Sequence, residues 1–321
     1  DGRYKLFRPA LRHDAVGPSW TLNNMGEGTT YDVVNDCFVA KPETPVATIN
    51  AQLAAGKHVI FTPGLYVLNQ PIRVTQPNTI VLGIGLPTLI PGEQNDNAAL
   101  IVDDIDGATV AGFMFDTYYS SESLLKVGEI TSHISHEENP TLLADCFFRI
   151  GGFANRKNNI DISLQIKSND VIGDHFWIWR ADHGAGVGWD MNTARNGLVV
   201  YGDRVHVYCL CNEHFQQYQT LWKGEDGKMF FYQCETPYDP QNQADYESHN
   251  GVAKGFAAYK VANGVKKHYA SMLGIYDVFI NTNGALINIQ NSIEVPAGEA
   301  GVHIHNACNV RISTLGGFNY V

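Results

Sequence analysis

The side chains best placed to do chemistry are two glutamates: Glu213, in Cys211-Asn212-Glu213-His214-Phe215, and Glu235, in Gln233-Cys234-Glu235-Thr236-Pro237-Tyr238. They stand 22 residues apart, close to one turn of a parallel β-helix, and in such a fold they would stack on adjacent rungs ~4.8 Å apart. Two carboxylates held that closely cannot both ionise cheaply. One should keep its proton at neutral pH, the state a general acid needs. Asp190, 23 residues before Glu213, would extend this ladder by one rung. In a β protein taken at random, both glutamates would more often be solvated rim residues. The neighbourhood argues otherwise: Tyr218, Trp222, Tyr232, Tyr238 and Tyr246 lie close by in sequence, and flat rings beside acids suit pyranose faces and glycosidic oxygens.

A second group precedes the first. In Trp177-Ile178-Trp179-Arg180-Ala181-Asp182-His183 the two tryptophans, spaced by two, share one face of a strand. That face could stack sugars, or both rings could be core. The adjoining Gly184-Ala185-Gly186-Val187-Gly188 lacks the Lys-Ser/Thr of a phosphate loop and opens no helix, which argues against a nucleotide. His175, His183 and His214 read as hydrogen-bonding partners. No zinc spacing surrounds them, and His303-Ile304-His305 reads as a strand with both rings on one face. There is no Gly-x-Ser-x-Gly elbow. Neither a metal nor a cofactor is expected. The six cysteines form no Cys-x-x-Cys pair, and buried free thiols are the expectation over disulfides.

These side chains need a scaffold of repeated strands. The chain has 321 residues, 44% hydrophobic and only 17% charged, with 31 Gly, 15 Tyr and 15 Phe, a composition that suits turn-rich all-β structure. Short β runs recur from His58-Val59-Ile60-Phe61 to 302–312, one of them read as continuous over 197–211. Asn or Asp commonly opens a run, as in Asn78-Thr79-Ile80, Asn169-Asp170-Val171 and Asp203-Arg204-Val205, where turns need residues tolerant of left-handed backbone. The reading is an all-β, right-handed, single-stranded parallel β-helix, a pectate-lyase-like solenoid spanning 46–321 with binding loops inserted between coils. A β-sandwich would also give short strands and turns. One helix is expected over 45–55, where Val46, Ile49 and Leu53 recur at helical spacing before Gly56, capping the open end of the stack. Residues 1–45, punctuated by Pro9, Pro18, Pro42 and Pro45, read as an irregular arm along its outside.

A net charge of −11 disfavours nucleic acid and anionic lipid as partners, while neutral sugars remain compatible. No apolar run is long enough to insert in a membrane. The first residues carry no signal-peptide pattern, so export would mean a signal already removed. A monomer or weak oligomer acting outside the cell is the expectation.

The run Glu213-His214-Phe215-Gln216-Gln217-Tyr218-Gln219 followed by Gln233-Cys234-Glu235-Thr236-Pro237-Tyr238 resembles the signature of family 55 glycoside hydrolases, the β-1,3-glucanases called laminarinases. Trp177-Ile178-Trp179-Arg180-Ala181-Asp182-His183 and Cys146-Phe147-Phe148-Arg149-Ile150-Gly151-Gly152 are similar to further segments of that family's second β-helix. The resemblance covers roughly residues 60–250. It implies a β-helix, β-1,3-glucan as polysaccharide or oligosaccharide substrate, and inversion at the anomeric carbon. By position it makes Glu235 the general acid and Glu213 its charged neighbour. It also makes Tyr238 a subsite residue, and Trp177, Trp179, Asp182, His183, Asp190, His214, Tyr218 and Gln233 are the further residues expected to bind the sugar. Family 55 enzymes carry two such helices and this chain resembles only the second, which puts linkage specificity and cleavage mode in question. A stack at ~5 Å would by itself suggest a retaining pair. Two rival readings share the fold: a polysaccharide lyase, which would need a basic groove or calcium, and a non-catalytic glycan-binding module.

Overall fold

Alternation of buried and exposed side chains over four to eleven residues, bounded by Asn, Asp and Gly, selects half-buried strands. The computed structural model describes residues 3–13, 21, 23–128, 130, 132–312 and 315–320. One long sheet begins at Cys37–Ala40 and continues, each strand parallel to the next, through His58–Phe61, Ile80–Gly83, Thr109–Asp116, Thr141–Ile150, Val171–Arg180, His206–Glu213, Gly227–Glu235 and Lys267–Asp277 to Gly301–Arg311. A second parallel sheet runs alongside from Ile72–Val74 through Asn158–Ile166, Asn192–Val200 and Thr220–Trp222 to Ile293–Glu294. From His58–Phe61 to Ile293–Glu294 the chain visits the two sheets in turn, each coil adding one strand to each. This is a right-handed single-stranded parallel β-helix. The stretch 197–211, read as one run, is split between the sheets as Asn192–Val200 and His206–Glu213, because 201–205 turn the chain from one to the other.

The long strands are bent by a ladder of left-handed residues. Gly112, Asp145, His175, Cys209, Phe231, Met272 and Asn306 have φ from 51° to 80°. Each is skipped in the register with the next coil, as when Ala144 pairs Asp174 and Cys146 pairs Phe176. A left-handed conformation costs a side chain with Cβ roughly 1–2 kcal/mol, so Phe231 and Met272 are held there by the coils above and below. The bend resets the alternation. Val207 and Leu210, three apart, both point inward and are fully buried, while Tyr208 lies on one outer face and Cys211 and Glu213 on another. A second left-handed ladder at strand starts includes Asn78 and Asp170, as expected, but uses Arg204 rather than Asp203.

Inward positions stack like on like. Leu100, Leu125, Leu164 and Leu198 are successive register partners, and so are Phe113, Cys146, Phe176, Leu210, Tyr232 and Leu273. All ten are buried. Each buried Leu or Phe contributes roughly 1.5–3 kcal/mol, and the stack needs no disulfide: all six cysteines are free thiols. The helix Val46–Ala54 closes the first coil with Val46, Ile49 and Leu53 buried. No helix among the described residues is long and apolar enough to cross a membrane.

The expected boundary at 46 needs correction. Cys37–Ala40 already belongs to the long sheet, pairing in parallel with His58–Phe61, and buries Cys37 and Ala40. This run of four, crowded by Pro42 and Pro45, carries too little alternation to stand out in the sequence. Nor is the arm irregular throughout: Lys5–Pro9 and Gly28–Asp32 pair antiparallel, and Asp32 caps the turn Val33–Asp36. Residues 14–20 of the arm, with Pro18, lie outside the described residues.

Candidate active site

Past the bend, alternate side chains of the long sheet face outward. In the last outward row of each coil, Asp116, Arg149, Trp179, Glu213, Glu235 and Tyr276 are successive register partners. The row two residues earlier contains Phe147, Trp177, Cys211, Gln233 and Gly274. The glutamates therefore stand on adjacent rungs, on one face, as their spacing requires. The tryptophans are not core. Trp177 is 42% exposed and stacks on Trp179 with centroids 5.3 Å apart and planes at 22°, and Trp179 in turn meets His183 at 5.1 Å.

The two carboxyl groups differ in surroundings. Glu213 is buried, and desolvation pushes its carboxyl up to about 7. Trp177 opposes that rise by donating its indole N–H to Glu213 Oε2 at 2.8 Å, the charge of Glu235 adds to it, a hydrogen bond from Gln233 opposes it, and the charge of Asp182 adds again. Glu235 keeps 28% of its side chain open. The Tyr238 hydroxyl donates to its Oε2 and the Gln233 amide to its Oε1 at 3.4 Å. Burial and the bond to Glu235 hold the Tyr238 phenol far above its ordinary pKa, so it remains a donor. Gln233 thus touches both acids, and Glu235 is the member a ligand can reach.

His214, buried and in left-handed conformation at φ 68°, packs edge-on against Tyr238 at 4.3 Å. Burial lowers its pKa and keeps it neutral. Its Nδ1–H donates to the Thr236 carbonyl at 3.1 Å, leaving Nε2 as an acceptor 4.0 Å from Glu235 Oε2.

Arg180, which the sequence reading passed over, fastens these pieces together. Its guanidinium is 1% exposed and binds Asp239 through two parallel contacts of 2.9 Å. It also donates to the carbonyls of Asn192, His214 and Gly188. One buried cation therefore ties together the end of the Trp177–Trp179 strand, the backbone beside Glu213, the glycine-rich loop and the segment carrying Tyr238. The signal was in the sequence as parity: Phe176, Ile178 and Arg180 alternate on the inward side. The glycines of 184–188 serve close packing of loops on successive coils. A Cβ on Gly184 would come within 2.7 Å of the Gly152 carbonyl oxygen, and one on Gly186 within 2.3 Å of that of Ala154. This loop and the Tyr238 segment enclose a cleft of about 360 Å³ lined by Asp182, His183, Trp189, Tyr238 and Gln241, within the range of small-ligand sites of ~300–1,000 Å³.

Several expected residues lie elsewhere. Asp190 is exposed in a turn, and the rung beside Glu213 is occupied by Trp179, because the loop after Arg180 lengthens that coil to 34 residues. Tyr218 faces Phe256 at 5.1 Å and accepts a hydrogen bond from Lys260, on the side of the second sheet. Trp222 and Tyr232 are core, and Tyr246 belongs to a small satellite core with Phe279, Ile287 and Ile289. His175 sits at the bend with Nδ1 2.6 Å from Asp145 Oδ1.

Residues 37–235 match the family model of the LAM55 pectate lyase-like domain. Over 319 residues, 99% of this chain and 51% of the relative, the sequence is 42% identical to an exo-β-1,3-glucanase of Streptomyces sp. strain SirexAA-E. The solved structure of sacteLam55A from Streptomyces sp. SirexAA-E superposes with a TM-score of 0.93 at 42% identity, covering 100% of this chain and 57% of that one. A variant of sacteLam55A in complex with glucose superposes with the same score at 41% identity, over 100% and 56%. The chain spans about half the length of the relatives it matches.

Proposed function

The chain belongs to the LAM55 pectate-lyase-like family, and from that premise we propose that it is a glycoside hydrolase cleaving a β-glucan, with β-1,3-linked glucan as the substrate. The observation that carries this reading is the register of Glu213 with Glu235 on the outer face, beside a stacked tryptophan pair, Trp177 exposed and Trp179 half-buried, and an open cleft. Trp177 and Trp179 offer flat apolar surface to a pyranose ring, and Asp182, His183 and Gln233 offer hydrogen-bonding groups to its hydroxyls. Glu235, the more open acid, protonates the glycosidic oxygen as the leaving sugar departs. Glu213 holds the reserve proton, kept there by burial. Tyr238 donates to the carboxylate that Glu235 becomes, stabilising the charge left after transfer.

The resemblance to family 55 supports an inverting course. Register alone, at a rung spacing of ~4.8 Å, suits a retaining pair better than a simple inverting pair, whose carboxyl groups stand ~6.5–9.5 Å apart. The water is then held by groups other than Glu213. A polymer substrate that cannot enter a cell supports action outside it.

Incubation with laminarin and with β-1,4- and β-1,6-glucans, products being resolved by size and anomer, tests the whole reading. Release of the α-anomer from β-1,3-glucan alone is the expected outcome. Unsaturated products absorbing in the ultraviolet would point to a lyase, and no product from any glucan would leave a binding module.

A further inference from the structure

On the other side of the bend from the glutamates, the outer face of the long sheet carries a second run of flat rings. Tyr208 stacks on Phe230 with centroids 5.3 Å apart and planes at 11°, and Phe230 meets Tyr269 at 5.5 Å. Tyr269 meets His305 at 5.4 Å, and His305 stacks on His303 at 6.0 Å. The rings belong to four consecutive strands of the sheet, His206–Glu213, Gly227–Glu235, Lys267–Asp277 and Gly301–Arg311, so the run follows the axis of the helix. Filling the interior does not explain it. That task falls to Val207, Met229 and Ala270, all fully buried, whereas Tyr208 is 38% exposed and both histidines are exposed.

At the Tyr208 end the rings floor a cavity of about 530 Å³ bordered by Arg12, Arg204, His206 and Lys228. Arg204 is held rigid by Asp170, with its Nε 2.6 Å from Oδ1 and its Nη2 2.9 Å from Oδ2. Burial keeps His206 neutral, so its ring can both donate and accept. Flat apolar surface repeated along a line, with fixed donors at its edge, matches a chain of pyranose rings, each with an apolar C–H face and a rim of hydroxyls. The chain's charge of −11 disfavours polymers bearing phosphate or uronate groups.

We propose that the Tyr208–Phe230–Tyr269 face is a second carbohydrate-binding site, which holds a neutral polysaccharide along the helix axis without cleaving it. That the polymer is the same β-glucan rests on the functional reading above. The ring track itself does not.

The test uses the Glu235→Gln protein and its Tyr208→Leu/Phe230→Leu derivative, since leucine keeps apolar contact but removes the flat faces. Both are run in native gels containing laminarin, hydroxyethylcellulose or galactomannan. Parent retardation in at least one neutral glycan is expected, weakened about tenfold in the derivative, a difference of roughly 1.4 kcal/mol, with an unchanged melting transition. Equal retardation of the two proteins, or no retardation of the parent in any gel, overturns the proposal. Tyr208→Trp is the second variant: it restores a flat face and is expected to bind at least as well as the parent. Retardation lost only in a glycan other than laminarin keeps the site and cuts its link to the glucan. Failure of the catalytic reading shows independently, as undiminished hydrolysis by Glu235→Gln.

Discussion

Two rows of side chains one residue apart on the same strands follow opposite rules. The inward row Phe115, Phe148, Ile178, Asn212, Cys234, Ile275 is wholly buried and almost wholly apolar. The outward row Asp116, Arg149, Trp179, Glu213, Glu235, Tyr276 changes chemistry at nearly every rung. Both use the same backbone hydrogen bonds and the same rung spacing. The inward row repeats because each coil must present the same cross-section to the next. The outward row is free of that demand, and a carboxylate on one rung meets whatever the neighbouring rungs supply. Chemistry therefore comes from adjacent outward positions that differ, held in register by inward positions that do not.

The sharpest break of this comparison is Glu235→Gln. An outward, partly open change should lower kcat/KM by ~10²–10⁴ while leaving the urea midpoint nearly unmoved; steady-state hydrolysis of laminarin and equilibrium unfolding measure the two. Little loss of activity would move the acid to another residue. On the inward side, Phe176→Ala should do the reverse. Phe176 is 1% exposed, and its truncation should cost about 3–5 kcal/mol in urea unfolding with turnover by the folded fraction little changed. A large effect on the pH dependence of turnover would show that the rows are not separable.

The periodic part of the molecule was legible in the sequence, and the aperiodic part was not. Glu213 and Glu235 could be paired from spacing because their coil carries only short connections. Asp190, at nearly the same spacing, could not, since the loop after Arg180 belongs to the intervening coil and displaces the count. The bend defeated simple alternation as well. Cys209 and Phe231 are not residue types that signal a left-handed backbone, so nothing marked where the phase resets, and Tyr232 was grouped with Tyr238 although one points in and the other out. Contacts between a strand end and a distant loop, such as Arg180 with Asp239, depend on chain closure over 59 residues and leave only a parity violation behind.

Glu213, like Asp116 in the same row, is an outward acid that is nonetheless buried. Its carboxyl has a pKa of about 7 in the fold against 4.5 as a free side chain, so the folded state binds the proton more tightly than the unfolded chain. The stability this gives is fully present below about 4.5 and is lost as pH rises through about 7. Glu213→Gln should remove that dependence, gaining on the order of 3 kcal/mol over the parent at pH 8 and nothing at pH 4 in urea unfolding. The limb of kcat/KM that falls as pH rises through about 7 should vanish with it. An unchanged limb would place the titrating proton elsewhere.

The smallest effect isolates a single contact between rungs. Trp177 donates its indole N–H to Glu213 and stacks on Trp179, and Trp177→Phe keeps the stacked face while removing the donor. A hydrogen bond to the ionised carboxylate favours its charged form, so its loss should raise the Glu213 pKa further, by about half a unit to one unit. The descending limb should move to higher pH by that amount, with KM for laminarin changed less than severalfold because an aromatic face remains. A limb moving to lower pH would mean that the indole serves the neutral acid. No movement would mean that burial alone sets where Glu213 holds its proton, and that the rung below contributes surface to the sugar but no electrostatics to the acid.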